Sequence, residues 1–199
     1  MKLQSWSKEL TQSQLEQIAK LFIKETGAKL STKIYIIDKY ERMQEFWDSS
    51  NYTLTNLWLL KNSKVGGWFN REENTIIVAP WTTHNKDILE NLGIQVKKQC
   101  DKLVLSFALL HELTHAWDKS LGKEIIHTAT PGSAGYQSQS HEVHANEIAI
   151  NIIEKHYETL YKIFKLRKEE YGDVTISKET KEYFEKQKRN SAIFDEFPF

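Results

Sequence analysis

The sequence FALLHELTHAWD, Phe107 to Asp118, decides the expected fold and chemistry, because it carries the pattern His-Glu-x-x-His. Residues four apart on an α-helix lie about 40° apart around the axis and about 6 Å apart along it. His111 and His115 therefore present two imidazoles to one point, as two of the three protein ligands of a zinc ion. Glu112 lies about 100° away and can reach water beside the metal without being a ligand.

The residues around this motif are those of a buried helix. Apolar side chains occupy most of its faces: Val104, Leu105, Phe107, Ala108, Leu110, Leu113, Ala116 and Trp117. Two histidines and a glutamate are costly in so apolar a helix unless something binds them. Asp118 is expected at a solvated helix end, with a role behind a metal ligand as the alternative.

The amino-acid composition limits the partners and the cellular compartment that can be expected. The chain has 199 residues, 40% of them hydrophobic, enough for a core, and its 27 basic and 27 acidic residues cancel. Neither nucleic acid nor a membrane is therefore an expected partner. The single Cys100 excludes an intrachain disulfide and suits a reducing compartment. With no apolar targeting segment and no run of about 18 apolar residues, we expect a soluble cytoplasmic protein.

Sequence patterns predict an α+β fold with a small mixed or antiparallel sheet ahead of the motif helix. A capping-box spacing between Thr11 and Gln14 opens a helix that ends before Gly27. The segment Lys33 to Asp38 is the expected first strand. Ahead of the motif helix we expect a helix over 39–47, a strand over 54–61, a hairpin of 66–70 and 75–78, and a helix from 85 to Gly93. The motif helix is expected to run to about Lys119. It is followed by an expected loop over 121–140 and a long helix from Ser138 or Ser140 past Tyr161.

The last of these helices begins SHEVHANEIA and carries residues that fit the motif. Glu142, Asn146 and Ala149 lie within about 60° of one another on its surface. If this face crosses the motif helix at a metal, Glu142 is the third ligand, Asn146 orients a ligating imidazole, and Ala149 lets the two helices pack closely.

Neighbouring residues are weaker candidates for the third ligand. His144 lies about 200° around the helix from Glu142, so both cannot face the same ion. Glu147 lies about 140° off that face and is expected at a solvated position. His141 and His144 form an alternative pair, but choosing either leaves Asn146 without a role.

The two motifs together resemble the gluzincin metallopeptidases, in which HExxH is completed by a Glu on a later helix, written E-x-x-x-D or E-x-x-A-D/N-x-x-A. The corresponding residues are Glu142, Ala145, Asn146 and Ala149. The order of elements from Leu15 to Tyr161 is similar to that of minimal gluzincins and of ImmA/IrrE-like peptidases. The chain has His144 and Ile148 where the ImmA/IrrE-like pattern E-x-E-A-N-x-F-A has an acid and an aromatic residue.

This resemblance implies a zincin-like domain over 1–170, followed by a polar extension over 171–199. One Zn²⁺ per chain would be bound by His111, His115 and Glu142, and the activity would be that of a metalloendopeptidase acting on a protein or peptide. Glu112 would then take a proton from water and pass it to the leaving amine.

Two further features of a peptidase are expected. The developing oxyanion needs a donor; the candidates are His84, His127, Tyr136 and Tyr157, with Tyr136 preferred. The segment Gly66, Gly67, Trp68 and Phe69 is expected to be an edge strand that binds extended substrate, because glycine permits close backbone approach. A purely structural turn is the alternative.

Two other functions fit the same residues. The first is a latent or regulatory protein of this fold, in which the zinc is structural or the cleft is blocked. The second is a SprT-like protease of protein–DNA crosslinks, suggested by HELTHAW and requiring a histidine third ligand such as His127. The missing basic surface and cysteine ribbon argue against the second.

Overall fold

The structure is a computed structural model that describes residues 1–39, 42, 66–80, 88–98, 100–123 and 139–195. Its strands are β1 (Lys2–Ser5), β2 (Lys33–Ile36), β3 (Gly67–Asn70), β4 (Thr75–Val78), β5 (Ile94–Gln95) and β6 (Thr175–Ile176). Its helices are α1 (Gln12–Thr26), α2 (Ile88–Asn91), α3 (Asp101–Ser120), α4 (Ser140–Phe164), α5 (Lys168–Tyr171) and α6 (Lys178–Asp195). The expected α+β class is confirmed.

The main sheet is small and mixed, as predicted. Its strand order is β1-β2-β4-β3, with β1, β2 and β4 parallel and β3 antiparallel to β4. The predicted hairpin is present, and among the strands that the structure describes β3 is at an edge of the sheet. The expectation that Lys33 begins the first strand is wrong, because β1 precedes it. Strand β5 pairs with β6 in a second sheet, so strand structure also follows the motif helix.

Helix α1 forms where its capping signals predict. The Thr11 hydroxyl accepts a hydrogen bond from the Gln14 backbone N–H, and the Gln14 side chain accepts one from the Thr11 N–H. Two otherwise unpaired backbone donors are thus satisfied. Gly27 ends the helix at φ +70°, a left-handed conformation that glycine adopts without a side-chain penalty. The apolar face of α1 packs on α3 and α4.

Helix α3 lies at the centre of the hydrophobic core, between the sheet, α1 and α4. Cys100, just ahead of its first residue, is buried. Gly93 does not lead directly into this helix, since β5 lies between them. Gly122, at φ +75°, follows the last helical residue, Ser120. Helix α4 packs along α3 over more of its length than any other element does.

The C-terminal helix α6 packs on α4 through paired charges. Lys188 Nζ lies 2.5 Å from Glu147 Oε1, and Lys181 Nζ lies 2.9 Å from Glu154 Oε1. Glu147 is buried, so the expectation that it is solvated is wrong. Val174, Ile176 and Phe184 belong to the hydrophobic core. The boundary at 170 between a zincin-like domain and a polar extension stays a prediction.

Several predicted elements lie largely outside the described residues: the helix over 39–47, the strand over 54–61, the start of the helix from 85, and the loop between α3 and α4. Within the part of the chain that the structure describes, no helix is long and apolar enough to cross a membrane. The cytoplasmic location stays a prediction.

Candidate metal centre

The two histidines of the motif meet on one face of α3. Their Nε2 atoms lie 3.0 Å apart, and their rings are nearly perpendicular, at 86°. This arrangement follows from the helical spacing of four residues, which puts one imidazole above the other. Both nitrogens therefore point into one small space between α3 and α4.

Glu142, in the first turn of α4, brings its carboxylate into that space. Its Oε2 lies 3.1 Å from His111 Nε2, and its Oε1 lies 3.4 Å from His115 Nε2. The ligand atoms of these three residues all lie within 4.8 Å of one another, close enough to bind a metal ion. The structure thus brings together the three residues that the sequence predicts as metal ligands.

The spacing of these atoms fits one tetrahedral ion. Zinc bonds nitrogen and oxygen ligands at about 2.0–2.1 Å, so two of its tetrahedral ligand atoms lie about 3.3 Å apart. The contact of Glu142 Oε2 with His111 Nε2, at 3.1 Å, and that between the two histidine Nε2 atoms, at 3.0 Å, lie near that value, while the 3.4 Å contact of His115 is with the other carboxylate oxygen, Oε1. Two imidazoles and a carboxylate are also a donor set that zinc binds in proteins, with a fourth position left open.

Asn146 fixes the orientation of His111. Its side-chain oxygen lies 2.9 Å from His111 Nδ1, one turn of α4 beyond Glu142. An amide oxygen only accepts hydrogen bonds, so this contact puts a proton on His111 Nδ1 and turns Nε2 toward the ligand space. Hydrogen-bond partners such as Asn146 orient metal-binding imidazoles. Ala149, on the same face of α4, is fully buried, as its predicted packing role requires.

Electrostatics favour an ionised Glu142 beside a neutral His115. Burial opposes ionisation of Glu142, but the imidazoles of His111, His115 and His141 around it lower its pKa well below the ordinary range. Burial lowers the pKa of His115 to about 4, and the neighbouring His111 contributes. Burial also disfavours the charged form of His111, yet the contact with Glu142 and the charge of Glu112 raise its pKa. Glu142 is therefore a carboxylate and His115 a neutral imidazole at neutral pH.

Glu112 is buried on α3 beside this group, but is not part of it. Burial raises its pKa to about 7; the charge of Glu142 adds to this, while His111 and a hydrogen bond from the Phe69 backbone N–H oppose it. A carboxyl group with a pKa near 7 can both accept and release a proton at neutral pH. Its properties are those of a general base.

The edge strand β3 lies directly against Glu112. The Ala79 N–H donates to the Gly66 carbonyl, so alternate residues of β3 pair with β4, and the backbone groups of Gly67 and Phe69 point away from the sheet. A Cβ on Gly67 would lie 2.8 Å from Glu112 Cγ. Glycine is thus required at 67 for the glutamate to approach the strand.

Of the residues considered for the oxyanion, only Tyr157 falls among the described ones; Tyr136, His84 and His127 lie outside them. Tyr157 donates to Asp173 Oδ1 at 2.5 Å. It follows Glu142 by 15 residues on α4, roughly 22 Å along a helix. Tyr157 is therefore not placed to act at this centre.

Sequence reasoning missed the environment of Asp118. The residue is 3% exposed and lies 2.7 Å from Lys123 Nζ and 3.5 Å from His144 Nε2, so the expected solvated position is wrong. Burial opposes its ionisation, but His144 and Lys123 outweigh that effect and lower its pKa. Asp118 joins the end of α3 to α4 beside the ligand group.

Comparison of the chain with models of protein families, with curated proteins and with solved structures finds no significant match. Function is therefore inferred from the residues of the centre and their geometry.

Proposed function

We propose that the protein is a zinc-dependent endopeptidase of the gluzincin type, with a zincin-like fold. The observation that supports it most is the spacing of the His111, His115 and Glu142 ligand atoms around one point, with the carboxyl group of Glu112 beside it. The SprT-like alternative needs a histidine as third ligand, whereas among the described residues it is Glu142 that groups with His111 and His115, which supports the gluzincin type.

Each residue of the centre has a separate role in the proposed hydrolysis. When bound, zinc supplies a Lewis acid that polarises a peptide carbonyl and makes water more acidic. Glu112 accepts the proton of the attacking water and delivers it to the leaving amine. His111, oriented by Asn146, and neutral His115 would hold the ion without cancelling its charge, and the Glu142 carboxylate would cancel only part of it.

The substrate is proposed to bind as an added strand on β3. Within the described residues β3 pairs only with β4, and the backbone groups of Gly67 and Phe69 point outward next to Glu112. An extended peptide on this edge would pass its backbone alongside the general base. Zinc as the metal, and a peptide as the substrate, are both part of this proposal.

The proposed function is tested by hydrolysis of a library of unstructured peptides, read by mass spectrometry. We expect cleavage with zinc bound, loss of cleavage when a chelator removes the metal, and recovery when zinc is returned. A protein that holds one zinc per chain and cleaves no peptide of the library would instead indicate a latent or regulatory role.

Strand addition predicts a periodic effect of substrate N-methylation. A peptide bound to a sheet edge directs alternate backbone N–H groups at the protein, so methylation of every second nitrogen should raise KM and methylation between them should not. A cleaved peptide, methylated at one nitrogen at a time, provides the series. A uniform response along the peptide would contradict binding to β3.

Substitution Gly67→Ala is expected to reduce turnover while zinc content is kept. The new Cβ would meet Glu112 Cγ at 2.8 Å and the Ile77 carbonyl oxygen at 3.3 Å, so the general base must move. A displacement of about 1 Å costs on the order of 100-fold in rate. Zinc content and melting temperature are the controls, and unchanged turnover would contradict the proposed position of Glu112.

A further inference from the structure

His141, next to the third ligand in sequence, also lies next to it in space. Its Nε2 atom is 3.3 Å from Glu142 Oε1, and its ring centroid is 5.8 Å from that of His115. The side chain is only 8% exposed. The imidazole is therefore buried beside the ligand group.

Adjacent residues on a helix do not ordinarily meet, because their side chains diverge by about 100°. His141 and Glu142 meet in the first turn of α4, just after Gln139, which precedes the helix with extended backbone angles. Both side chains are thus turned toward α3. A solvated histidine at the start of a helix has no reason to adopt this position.

The contacts of Glu142 divide between its two oxygens. Oε2 is the oxygen closer to His111, at 3.1 Å, while Oε1 lies 3.4 Å from His115 and 3.3 Å from His141. A carboxylate that binds a metal through one oxygen is oriented by a donor on the other. His141 Nε2, 3.3 Å from Oε1, is within ion-pair distance of that oxygen and is the nitrogen placed to become such a donor.

We propose that His141 is a positioning residue that holds the Glu142 carboxylate for the metal, by donating from Nε2 to Oε1. It would act on Glu142 as Asn146 acts on His111, so each of these two ligands has its own orienting partner from the first turns of α4. This inference rests on the proposed metal centre. It assigns a role to a residue that the sequence offers only as an alternative ligand.

The test is a zinc titration against a competing chromophoric chelator. His141→Phe keeps the ring and removes the donor, while His141→Gln places an amide nitrogen near the former Nε2. The matched control is His144→Phe, three residues along the same helix, where the imidazole faces Asp118 and not Glu142. We expect His141→Phe to weaken zinc binding by about 10- to 100-fold, as loss of a partner behind a ligand does, and His141→Gln to restore most of it.

The absorption spectrum of the Co²⁺-substituted proteins gives a second readout. It should change in His141→Phe, because the carboxylate is no longer oriented, and should be near that of the wild type in His141→Gln and His144→Phe. Circular dichroism of the metal-free proteins shows that each variant folds.

Wild-type affinity in His141→Phe would overturn the proposal, and so would a loss that His141→Gln does not repair, since that pattern indicates a direct ligand. Absence of zinc from the wild-type protein would contradict the metal centre itself, so the two failures are distinguishable.

Discussion

Replacement of Glu112 by Gln is expected to reduce peptide hydrolysis by a factor of about 10² to 10⁴, or more, while zinc content stays near one per chain. The amide has nearly the shape of the carboxylate, and its oxygen can still accept the hydrogen bond from the Phe69 N–H. It cannot take a proton from water. Because Glu112 is not one of the three grouped ligands, the metal should remain.

The measurement is turnover of one cleaved peptide by wild-type and variant proteins loaded with equal zinc. Metal analysis and thermal melting of both proteins are the controls. Wild-type turnover by a zinc-loaded Glu112→Gln protein would show that another group is the base. The elevated pKa of Glu112, caused first by its burial, would then have no part in catalysis.

Replacement of Glu142 by Ala is expected to lower zinc affinity by orders of magnitude. The change removes the one carboxylate of the group and leaves two imidazoles whose Nε2 atoms lie 3.0 Å apart. The two remaining neutral imidazoles would form one bond fewer to the ion and would neutralise none of its charge. Asn146→Ala, which removes only the partner of His111, should weaken binding by roughly 10- to 100-fold.

The matched controls for Glu142→Ala are His144→Ala and His127→Ala, which should both keep the metal. His144 lies 3.5 Å from Asp118, on a different side of α4 from Glu142. Full zinc occupancy in Glu142→Ala, together with loss in His144→Ala or His127→Ala, would move the protein out of the gluzincin-like class.

The ligand group is the part that sequence predicts best, because it depends on helical periodicity. Spacings of four residues fix which side chains share a face, and that geometry holds in any α-helix. His111 and His115 meet for this reason, and Glu142 and Asn146 reach the same histidine from α4. Capping of α1 by Thr11 is equally local.

Features that depend on contacts between distant segments could not be predicted in this way. Strand β1 is short, and three of the four residues of its sequence KLQS are polar, so only its pairing with β2 identifies it. From the local sequence Glu147 is expected to be solvated, whereas in the structure α6 places Lys188 next to it. The approach of Glu112 to Gly67 depends on how β3 packs against α3. In each case the structure depends on a residue or strand that is distant in sequence, and the local sequence pattern gives no information about that contact.

The most direct test of the metal centre is a crystal structure of the zinc-loaded protein, with anomalous diffraction measured at the zinc edge. We predict one anomalous peak per chain, between α3 and α4, at bonding distance, about 2.0–2.2 Å, from His111 Nε2, His115 Nε2 and a carboxylate oxygen of Glu142. No peak at this position, or an ion bound by His127 or His144 in place of Glu142, would contradict the account.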